Sequence, residues 1–297
     1  MGVMRIVSIG ECMVELSGAG DDLWRSGYAG DTFNTAWYAR ALLPECDVDY
    51  VTCVGQDPVS GRMIDFMQNA GIGTKYIRRH PVRGVGLYMI DLKDGERSFT
   101  YWRDDSAART LADDPADIRL VVQDADYVYL SGITLGILSP KGRDHLWDAL
   151  QGATVVFDPN LRPKLWPDTP TMRKAVTEAA QRASVVLPSF EDEAEFFADQ
   201  NPMDTAKRYA DLGAKEIVVK NGGAMMITYH NGSYDEIDLG NPTKPVDTTG
   251  AGDSFNGAYM AARLAGQMPI PAARAAHQTA VRVIGHRGAL LPMRELK

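Results

Sequence analysis

The stretch DTTGAGDSFNGAYM, residues 247–260, joins a glycine-rich turn to the start of an apolar helix. Helical periodicity begins near Ser254, so the residues from Gly250 to Asp253 occupy the helix entrance. Backbone N–H groups at a helix entrance lack partners and, with the helix dipole, favour a bound anion, which small residues allow to come close. Asp253 then has two interpretations: it caps the helix, or it orients and deprotonates a hydroxyl group beside that anion.

Short β-branched runs alternate with amphipathic segments over the rest of the chain, which is typical of βα units around a mostly parallel sheet. The strand-like runs are RIVSIG, VDYVTCVG, YVYLSG, TVVFD, SVVLPS and EIVVKNG. Helix-like stretches such as NTAWYARALL and PKGRDHLWDAL follow runs of this kind. Because no linker or internal repeat interrupts the pattern, it predicts one α/β domain over residues 1–297.

One segment departs from this alternation. The sequence GVGLYMIDLKDGERSFTYWR, residues 84–103, contains two strand patterns around a KDGE turn, and such a hairpin is expected to leave the main sheet as part of a lid. ECMVEL, within residues 11–17, is a second candidate for the same small sheet. In SFTYWR the strand period of two places Tyr101 and Arg103 on one face, so both can contact the same ligand.

Composition and charge exclude several classes of function. The residues are 45% hydrophobic and 24% charged, as in an ordinary globular protein, and the net charge of −8 is unfavourable for binding nucleic acid. We expect no membrane partner, because no apolar run of about 18 residues is present. The cysteines Cys12, Cys46 and Cys53 are odd in number and lack metal-ligand spacing, which favours a cytoplasmic protein with small core cysteines.

Two segments together resemble the signatures of a known enzyme family. DTTGAGDSFNGA is similar to the carboxyl-terminal signature of the ribokinase-like (PfkB) carbohydrate kinases, and AGDTFNTAWYARAL, residues 29–42, to their amino-terminal signature. Both occupy the usual positions, and the similarity extends over essentially the whole chain. Within the family, the segments that resemble the 2-keto-3-deoxygluconate kinases are GECMVEL, GDTFNTA, YWR, LSGITLGILSP and DPNLRPKLW.

The resemblance implies a fold, a reaction and its cofactors. The implied fold is a three-layer α/β/α sandwich with a small β-sheet lid, and the implied reaction transfers a phosphoryl group from ATP, with Mg²⁺, to the 6-hydroxyl of 2-keto-3-deoxygluconate. Asp253 becomes the catalytic base. The backbone of Ala251, Gly252 and Asp253 becomes the anion hole, and Gly250 also lies at the ATP site. We further expect a homo-oligomer whose other partners are the sugar acid and ATP.

The amino-terminal signature supplies candidate sugar ligands. Gly30 permits close approach, and Asp31 and Asn34 are short polar residues at a strand-to-helix turn that can exchange hydrogen bonds with sugar hydroxyls. From the residues alone, capping of the next helix by Asp31 is an equal alternative, and the resemblance favours sugar binding. Tyr88 also resembles a family substrate contact, although an aromatic pair within the hairpin explains it as well.

Two arginines favour an acidic substrate over a neutral one. DPNLRPKLW follows the strand TVVFD, so Asn160 and Arg162 come just past a strand's carboxyl end, where open α/β sheets bind ligands. A surface position is the ordinary explanation of an arginine. The resemblance instead places Arg103 and Arg162 at the sugar site, where guanidinium groups pair with a substrate carboxylate and Tyr101 assists. It also places Asn160 and Arg162 near ATP.

Two further segments are expected on the nucleotide side. KNGGAMM follows the strand EIVV and resembles the family loop beside ATP, with Lys220, Gly222 and Gly223 as nucleotide contacts. LPSFEDEAEFF resembles the segment that organises magnesium, with Ser189 in place of its Asn and Asp192 in place of its Glu. Both retain oxygen atoms, so we expect Ser189 at the ATP site and Asp192 holding Mg²⁺ through water. The acidic run is alternatively a first helical turn favoured by the helix dipole.

Other functional classes fit less well. A dinucleotide-dependent dehydrogenase requires Gly-x-Gly-x-x-Gly after the first strand, and a Walker-type kinase requires Gly-x-x-x-x-Gly-Lys-Ser/Thr; neither motif is present. A non-catalytic sugar-binding sensor has no need for Asp253. The nearest alternative is another sugar kinase of the same family, a fructokinase or a ribokinase-like enzyme, from which Tyr101, Arg103 and Arg162 distinguish the chain.

Overall fold

The computed structural model describes residues 3–20, 23–93, 96–240 and 244–296, which contain a main sheet of eight strands, a second sheet of four strands and a small sheet of two strands. The strands are β1 (Arg5–Ile9), β2 (Met13–Gly20), β3 (Leu23–Ala29), β4 (Asp47–Val51), β5 (Cys53–Val54), β6 (Arg78–Arg79), β7 (Leu87–Lys93), β8 (Glu96–Trp102), β9 (Tyr127–Ser131), β10 (Val155–Asp158), β11 (Val185–Val186), β12 (Glu216–Val219), β13 (Met226–His230) and β14 (Ser233–Ile237). The helices are α1 (Asp31–Leu42), α2 (Pro58–Asn69), α3 (Ala116–Val122), α4 (Gly132–Ile137), α5 (Pro140–Ala149), α6 (Thr169–Ala180), α7 (Phe190–Phe197), α8 (Pro202–Asp211), α9 (Ala251–Leu264) and α10 (Pro269–Ile284).

The main sheet has eight strands in the order β14-β13-β12-β11-β10-β9-β1-β4. Six of these strands, β12, β11, β10, β9, β1 and β4, pair in parallel with their neighbours. Strands β13 and β14 extend the sheet in antiparallel fashion. Every β-branched run identified in the sequence contributes a strand to this sheet, so its predicted parallel character is confirmed. All its parallel strands end at one edge, which is where ligands bind in open α/β sheets.

Helices cover both faces of the main sheet, because neighbouring residues of each strand point to opposite sides and both sides are apolar. Ile6 packs in the core formed with α1, α2, α9 and α10, whereas Val7 packs in the core formed with α3 to α8. The same alternation holds for Val156 and Phe157 on β10. The predicted α/β/α sandwich is therefore the fold of this chain.

Helices α1 and α9 cross at very short distance on one side of the sheet. A Cβ atom at Gly257 would lie 2.5 Å from the carbonyl oxygen of Thr35 and 2.8 Å from Cβ of Tyr38, so only glycine allows this crossing. The contact brings the amino-terminal turns of the two helices together. Both motifs quoted from the sequence thus meet at one edge of the sheet, although they are far apart in the chain.

The second sheet has the strand order β3-β2-β7-β8 and stands apart from the main sheet. Strand β2 pairs in parallel with β7, and β7 pairs antiparallel with β8, which places Tyr88 opposite Tyr101. Strand β2 begins at Met13, after Glu11 and Cys12, and its partner β3 was not expected from the sequence. Asp94 and Gly95, the centre of the expected KDGE turn, lie outside the described residues.

The described part of the chain contains no helix long and apolar enough to cross a bilayer. Its three cysteines, Cys12, Cys46 and Cys53, are buried free thiols. Burial raises the pKa of the Cys46 thiol to about 12, so this group stays protonated and chemically quiet at neutral pH. The cysteines therefore serve as small core residues.

Candidate active site

The second sheet, formed by β3, β2, β7 and β8, is called the lid below. A cleft of about 1020 Å³ lies between the lid and the carboxyl ends of the main-sheet strands. The residues expected from the sequence that line it are Gly30, Asp31, Asn34, Tyr88, Tyr101, Arg103, Asn160, Arg162, Ser189, Asp192, Lys220, Gly222, Gly250, Ala251, Gly252 and Asp253. Gly223 follows Gly222 in the same turn and lies outside this lining. The expected sugar, phosphate and nucleotide residues thus share a single cleft.

The entrance of α9 is built from glycine and leaves its first turn uncapped. The helix begins at Ala251, three residues before the position that periodicity suggested, because Gly250 adopts φ 76° and reverses the chain. A Cβ at Gly250 would lie 2.7 Å from the carbonyl oxygen of Ala289. No side chain caps this helix, and the Ala251 N–H already donates to the Thr248 carbonyl oxygen at 3.2 Å. The following amides of the first turn are those suited to an anion.

Asp253 is the third residue of α9, and its carboxylate points to α1. The Asn34 side-chain amide donates to Asp253 Oδ2 at 2.7 Å. Capping of α9 by Asp253 is excluded, because Gly250 occupies the cap position. Burial, reinforced by the neighbouring carboxylates of Asp31 and Asp158, raises the pKa of Asp253 to about 7. A carboxylate with this pKa in a substrate-sized cleft has the properties of a general base.

Asp31 begins α1 and lines the same cleft as Asp253. Its Oδ2 accepts a hydrogen bond from the Asn160 amide at 2.9 Å. No side chain caps α1, so capping by Asp31 is excluded as well. A Cβ at Gly30 would lie 2.1 Å from the Glu11 carbonyl oxygen, which explains the glycine by close backbone approach. Burial raises the pKa of Asp31, as it does for Asp253.

A buried polar network that sequence reasoning missed lies beneath the helix entrance. Lys220 Nζ donates to Asp158 Oδ2 at 2.9 Å and to Asn256 Oδ1 at 3.1 Å. The Asn256 amide donates to the same Asp158 oxygen at 2.6 Å and to the Tyr129 hydroxyl at 3.0 Å. Asp158 is 3% exposed. The available signal was an acidic residue at the end of the buried strand TVVFD, since a buried carboxylate requires a partner.

On the lid side, Arg103 is paired with a carboxylate of the protein. Its Nη2 hydrogen-bonds to Glu11, and both side chains are buried. Arg103 Nε and Glu11 Oε1 are buried without a hydrogen-bond partner in the described structure. Arg103 was predicted from the sequence as a cation available to a ligand, and its pairing with Glu11 was not predicted. The pair is part of the cleft wall, and its remaining hydrogen-bonding capacity is unsatisfied.

Two lid tyrosines line the cleft and differ in the hydrogen bonding and exposure of their side chains. The Tyr88 hydroxyl hydrogen-bonds to the Glu15 carboxylate, and burial raises the Tyr88 pKa. Tyr88 and Tyr101 also form the cross-strand aromatic pair, with ring centroids 5.7 Å apart. Tyr101 remains 49% exposed, and the Arg103 guanidinium lies 5.9 Å from its ring centroid. Tyr101 therefore has the freer hydroxyl of the two.

Arg162 and Asp192 face each other on the opposite wall. Arg162 Nη1 donates to the Leu161 carbonyl oxygen at 2.6 Å and lies 3.6 Å from Asp192 Oδ2. The Arg162 side chain is 52% exposed. Burial raises the pKa of Asp192, and the nearby Arg162 charge opposes that shift. Arg162 thus holds a weak ion pair that a ligand can replace.

One wall of the cleft is formed where β11 and β12 end. The Phe190 N–H donates to the Lys220 carbonyl oxygen at 2.8 Å, and the Lys220 N–H donates to the Pro188 carbonyl oxygen at 2.8 Å. These bonds hold the Ser189 segment beside the KNGG turn, in which Gly222 has φ 55°. His277 of α10 completes the wall. The two segments assigned to ATP and to magnesium are therefore direct neighbours.

The chain is similar to known proteins over almost its whole length. The model of the pfkB family of carbohydrate kinases matches residues 4–296. The 2-dehydro-3-deoxygluconokinase of Dickeya dadantii is 38% identical, over 99% of this chain and 98% of that protein. The structure of a PfkB protein from Polaromonas sp. JS666 superposes with a TM-score of 0.85 at 25% identity, covering 99% of each chain.

A structure of a putative ribokinase II from E. coli in complex with ATP and Mg²⁺ has the same fold. Its TM-score is 0.81 at 22% identity, over 96% of this chain and 94% of that chain. The family resemblance carried by DTTGAGDSFNGA and AGDTFNTAWYARAL is thereby confirmed. The chain belongs to the pfkB family of carbohydrate kinases.

Proposed function

We propose that this protein phosphorylates 2-keto-3-deoxygluconate at its 6-hydroxyl with ATP, giving 2-keto-3-deoxy-6-phosphogluconate. The observation that carries the proposal is the near full-length similarity to an enzyme named for this substrate, whose systematic name is 2-dehydro-3-deoxygluconate. The cleft adds chemical support, because it contains a buried carboxylate with a pKa near 7 and is lined by the two arginines Arg103 and Arg162. These features suit a hydroxyl nucleophile on an acidic sugar.

In this proposal Asp253 takes the proton of the sugar 6-hydroxyl while the oxygen of that hydroxyl attacks the terminal phosphorus of ATP. Asn34 holds the carboxylate in place, and the first-turn amides of α9 face the charge that develops on the transferring group. Gly30, Asp31 and Asn34 bind sugar hydroxyls. Tyr88, Tyr101, Arg103 and Arg162 form the remainder of the sugar site, and the two arginines bind the substrate carboxylate.

The nucleotide side of the proposal uses the opposite wall. The residues assigned to ATP are Asn160, Arg162, Ser189, Lys220, Gly222, Gly223, Gly250, Ala251 and Gly252. Asp192 and its neighbour Glu191 present carboxylates to the cleft. Among the described residues no three His, Cys, Asp or Glu side chains are grouped to hold a metal directly. This donor set fits Mg²⁺ held through water, since Mg²⁺ keeps most of its hydration shell and neutralises phosphate charge.

Assembly and location belong to the same proposal. A homo-oligomer is supported by the large apolar side chains that the lid exposes, among them Leu23 at 66% and Trp102 at 55%. A cytoplasmic location is supported by the three free thiols. Light scattering during gel filtration measures the oligomeric state directly.

The substrate is tested by ADP release over a panel containing 2-keto-3-deoxygluconate, 2-keto-3-deoxygalactonate, fructose and ribose. We expect kcat/KM to be at least about 100-fold higher for a keto-deoxy sugar acid than for either neutral sugar, because a neutral sugar leaves the remaining hydrogen-bonding capacity of the site arginines unsatisfied. A preference for fructose or ribose would leave only the family assignment. Binding of a sugar without ADP release would identify a sensor.

A further inference from the structure

Lys220 lies at the bottom of the cleft with its ammonium group held at two points. It follows β12 directly, and its side chain is 10% exposed. Nζ donates to Asp158 Oδ2 at 2.9 Å and to Asn256 Oδ1 at 3.1 Å. A lysine ammonium carries three protons, so one donor remains after these two bonds.

The position of this group relative to the helix entrance is set by α9 itself. Asn256 follows Asp253 by three residues and therefore lies on the same side of the helix, one turn further in. A Cβ atom built on Gly252 would lie 3.6 Å from Lys220 Nζ. The ammonium is therefore immediately next to the glycine of the uncapped first turn, on the cleft wall.

Lys220 is one of several groups that donate hydrogen bonds to the Asp158 carboxylate. Asp158 Oδ1 accepts the Asn160 N–H at 3.1 Å, and Oδ2 accepts the Asn256 amide at 2.6 Å in addition to the lysine. Asn256 is in turn held by the Tyr129 hydroxyl. The network thus holds the Lys220 ammonium in a fixed position on the cleft wall, beside the first turn of α9.

We propose that Lys220 is a catalytic residue that stabilises the transferring phosphoryl group, and that Asp158 and Asn256 are the residues that position it. This inference rests on the proposed kinase function. The bond from the sugar oxygen to phosphorus forms as the bond from phosphorus to the ADP oxygen breaks, the electron pair leaves with ADP, and the hydroxyl proton goes to Asp253. Lys220 transfers no proton; its free N–H donates to an oxygen of the moving group, in which negative charge is redistributed.

The central test is the double variant Lys220→Met/Asp158→Asn. The single change Lys220→Met leaves a buried carboxylate without its cation and can fail to fold for that reason, whereas the double variant removes both charges. Because ADP lacks the phosphoryl group to which Lys220 is proposed to donate, we expect the double variant to keep the ADP affinity of the native protein within about twofold. We expect kcat to fall by roughly 10²- to 10³-fold, the effect of removing one preorganised transition-state donor. ADP affinity is measured by calorimetry, independently of any sugar.

A matched control uses the same strand and the same helix at their other ends. Arg263 on α9 pairs with Glu216 on β12 at 2.7 Å, away from the cleft. The variant Arg263→Met/Glu216→Gln removes a charge pair of the same kind and is expected to change the melting temperature but not kcat. Asn256→Ala, which keeps lysine and carboxylate, should lower kcat by about tenfold with an unchanged KM for the sugar, because the ammonium loses one anchor.

Native-like kcat in the Lys220→Met/Asp158→Asn protein would overturn the proposal, since Lys220 would then only neutralise Asp158. Loss of ADP affinity in parallel with kcat would also overturn it, because the defect would lie in nucleotide binding. The assay uses the best sugar of the substrate panel, so a wrong choice of sugar acid is detected in the native protein and does not imitate either result.

Discussion

The helix entrance and the lid form opposite sides of one cleft, yet they differ in how completely their polar groups are satisfied. At the helix entrance, Asp253 is held by Asn34, and Asp158 is held by Lys220 and Asn256. On the lid, the buried Arg103–Glu11 pair leaves one nitrogen and one oxygen without partners. The groups proposed for the chemical step are thus held in place before a ligand binds, whereas the pair proposed for sugar recognition retains hydrogen-bonding capacity.

The difference follows from how each region is covered. Main-sheet strands are buried between two helical layers, and opening them would expose both apolar cores. The lid is a single sheet, and it leaves Trp24, Phe99 and Tyr101 between 41% and 49% exposed. A region with fewer buried contacts opens and closes at lower free-energy cost. Preorganisation therefore belongs to the sandwich and adaptability to the lid.

The largest expected effect comes from removing the base at the preorganised side. Asp253→Asn keeps the shape of the side chain and an oxygen acceptor for Asn34, but it cannot take a proton. We expect kcat to fall by roughly 10³-fold while ATP affinity stays close to native, as measured by steady-state kinetics and calorimetry. Asp168→Asn, a carboxylate at the exposed start of α6, is the matched control and should retain full activity. Near-native turnover of Asp253→Asn would remove Asp253 from the mechanism.

A smaller effect is expected from the lid cation, and it should depend on the substrate. Arg103→Met combined with Glu11→Gln removes the buried pair without leaving one charge alone. We expect kcat/KM for 2-keto-3-deoxygluconate to fall about 10- to 100-fold, the loss of one or two charge-assisted hydrogen bonds, with much less change for fructose. Arg162→Ala, at a half-exposed site, should have a milder effect of the same kind. Equal losses on acidic and neutral sugars would mean general damage to the cleft.

The dependence of activity on pH tests the difference between the helix entrance and the lid, because the pKa of Asp253 at the helix entrance is raised. With the Asp253 pKa at about 7, the base is protonated at lower pH, and kcat/KM should fall about tenfold for each pH unit below 7. Since the folded-state pKa lies above the unfolded value, the stability linked to this carboxyl is fully present below about pH 4 and is lost as pH rises to 7. The melting temperature of Asp253→Asn should therefore equal the native value near pH 4 and exceed it above pH 7. A difference independent of pH would contradict the assigned titration.

The smallest expected effect is kinetic protection of the lid. Sugar binding should supply partners to the unsatisfied groups and slow hydrogen exchange of the amides in β7 and β8, while β9 and β10 exchange as before. Mass spectrometry of peptides from these strands, with and without saturating sugar, makes the comparison. Unchanged exchange in β7 and β8 would show that the lid does not close on the ligand.

The features that local patterns could predict are those that depend on neighbouring residues. Each buried parallel strand is a β-branched run, so the mostly parallel sheet could be predicted before its pairing was known, whereas the sandwich was implied by the family resemblance. The hairpin β13–β14 was not predicted, although the sequence contains a signal for it. That signal is the Asn-Gly pair, in which Asn231 and Gly232 both adopt the positive φ of a hairpin turn. Strand β3, LWRSGYA, has no β-branched residue and gave no such signal.

Within the site, side-chain partners were less predictable than site membership. Glu11 and Arg103 are 92 residues apart in sequence, and nothing local to either residue indicates the pairing. The same holds for Asn256 and Asp158, which are 98 residues apart. A buried charge requires a partner, but the choice of partner depends on the tertiary fold. Sequence therefore identified many of the residues that line the cleft, although not Glu11 or Asp158, and left open which of them were already bound to one another.

The contact between Asn34 and Asp253 also has a consequence for protein synthesis. The two residues are 219 positions apart, and ribosomes add about 5–20 residues per second, so Asp253 emerges roughly 10–45 s after its partner. Throughout that interval the nascent chain can carry the residues proposed to bind sugar but not the proposed base. A product of interrupted translation that stops before Asp253 therefore lacks, on the proposed mechanism, the group that accepts the hydroxyl proton.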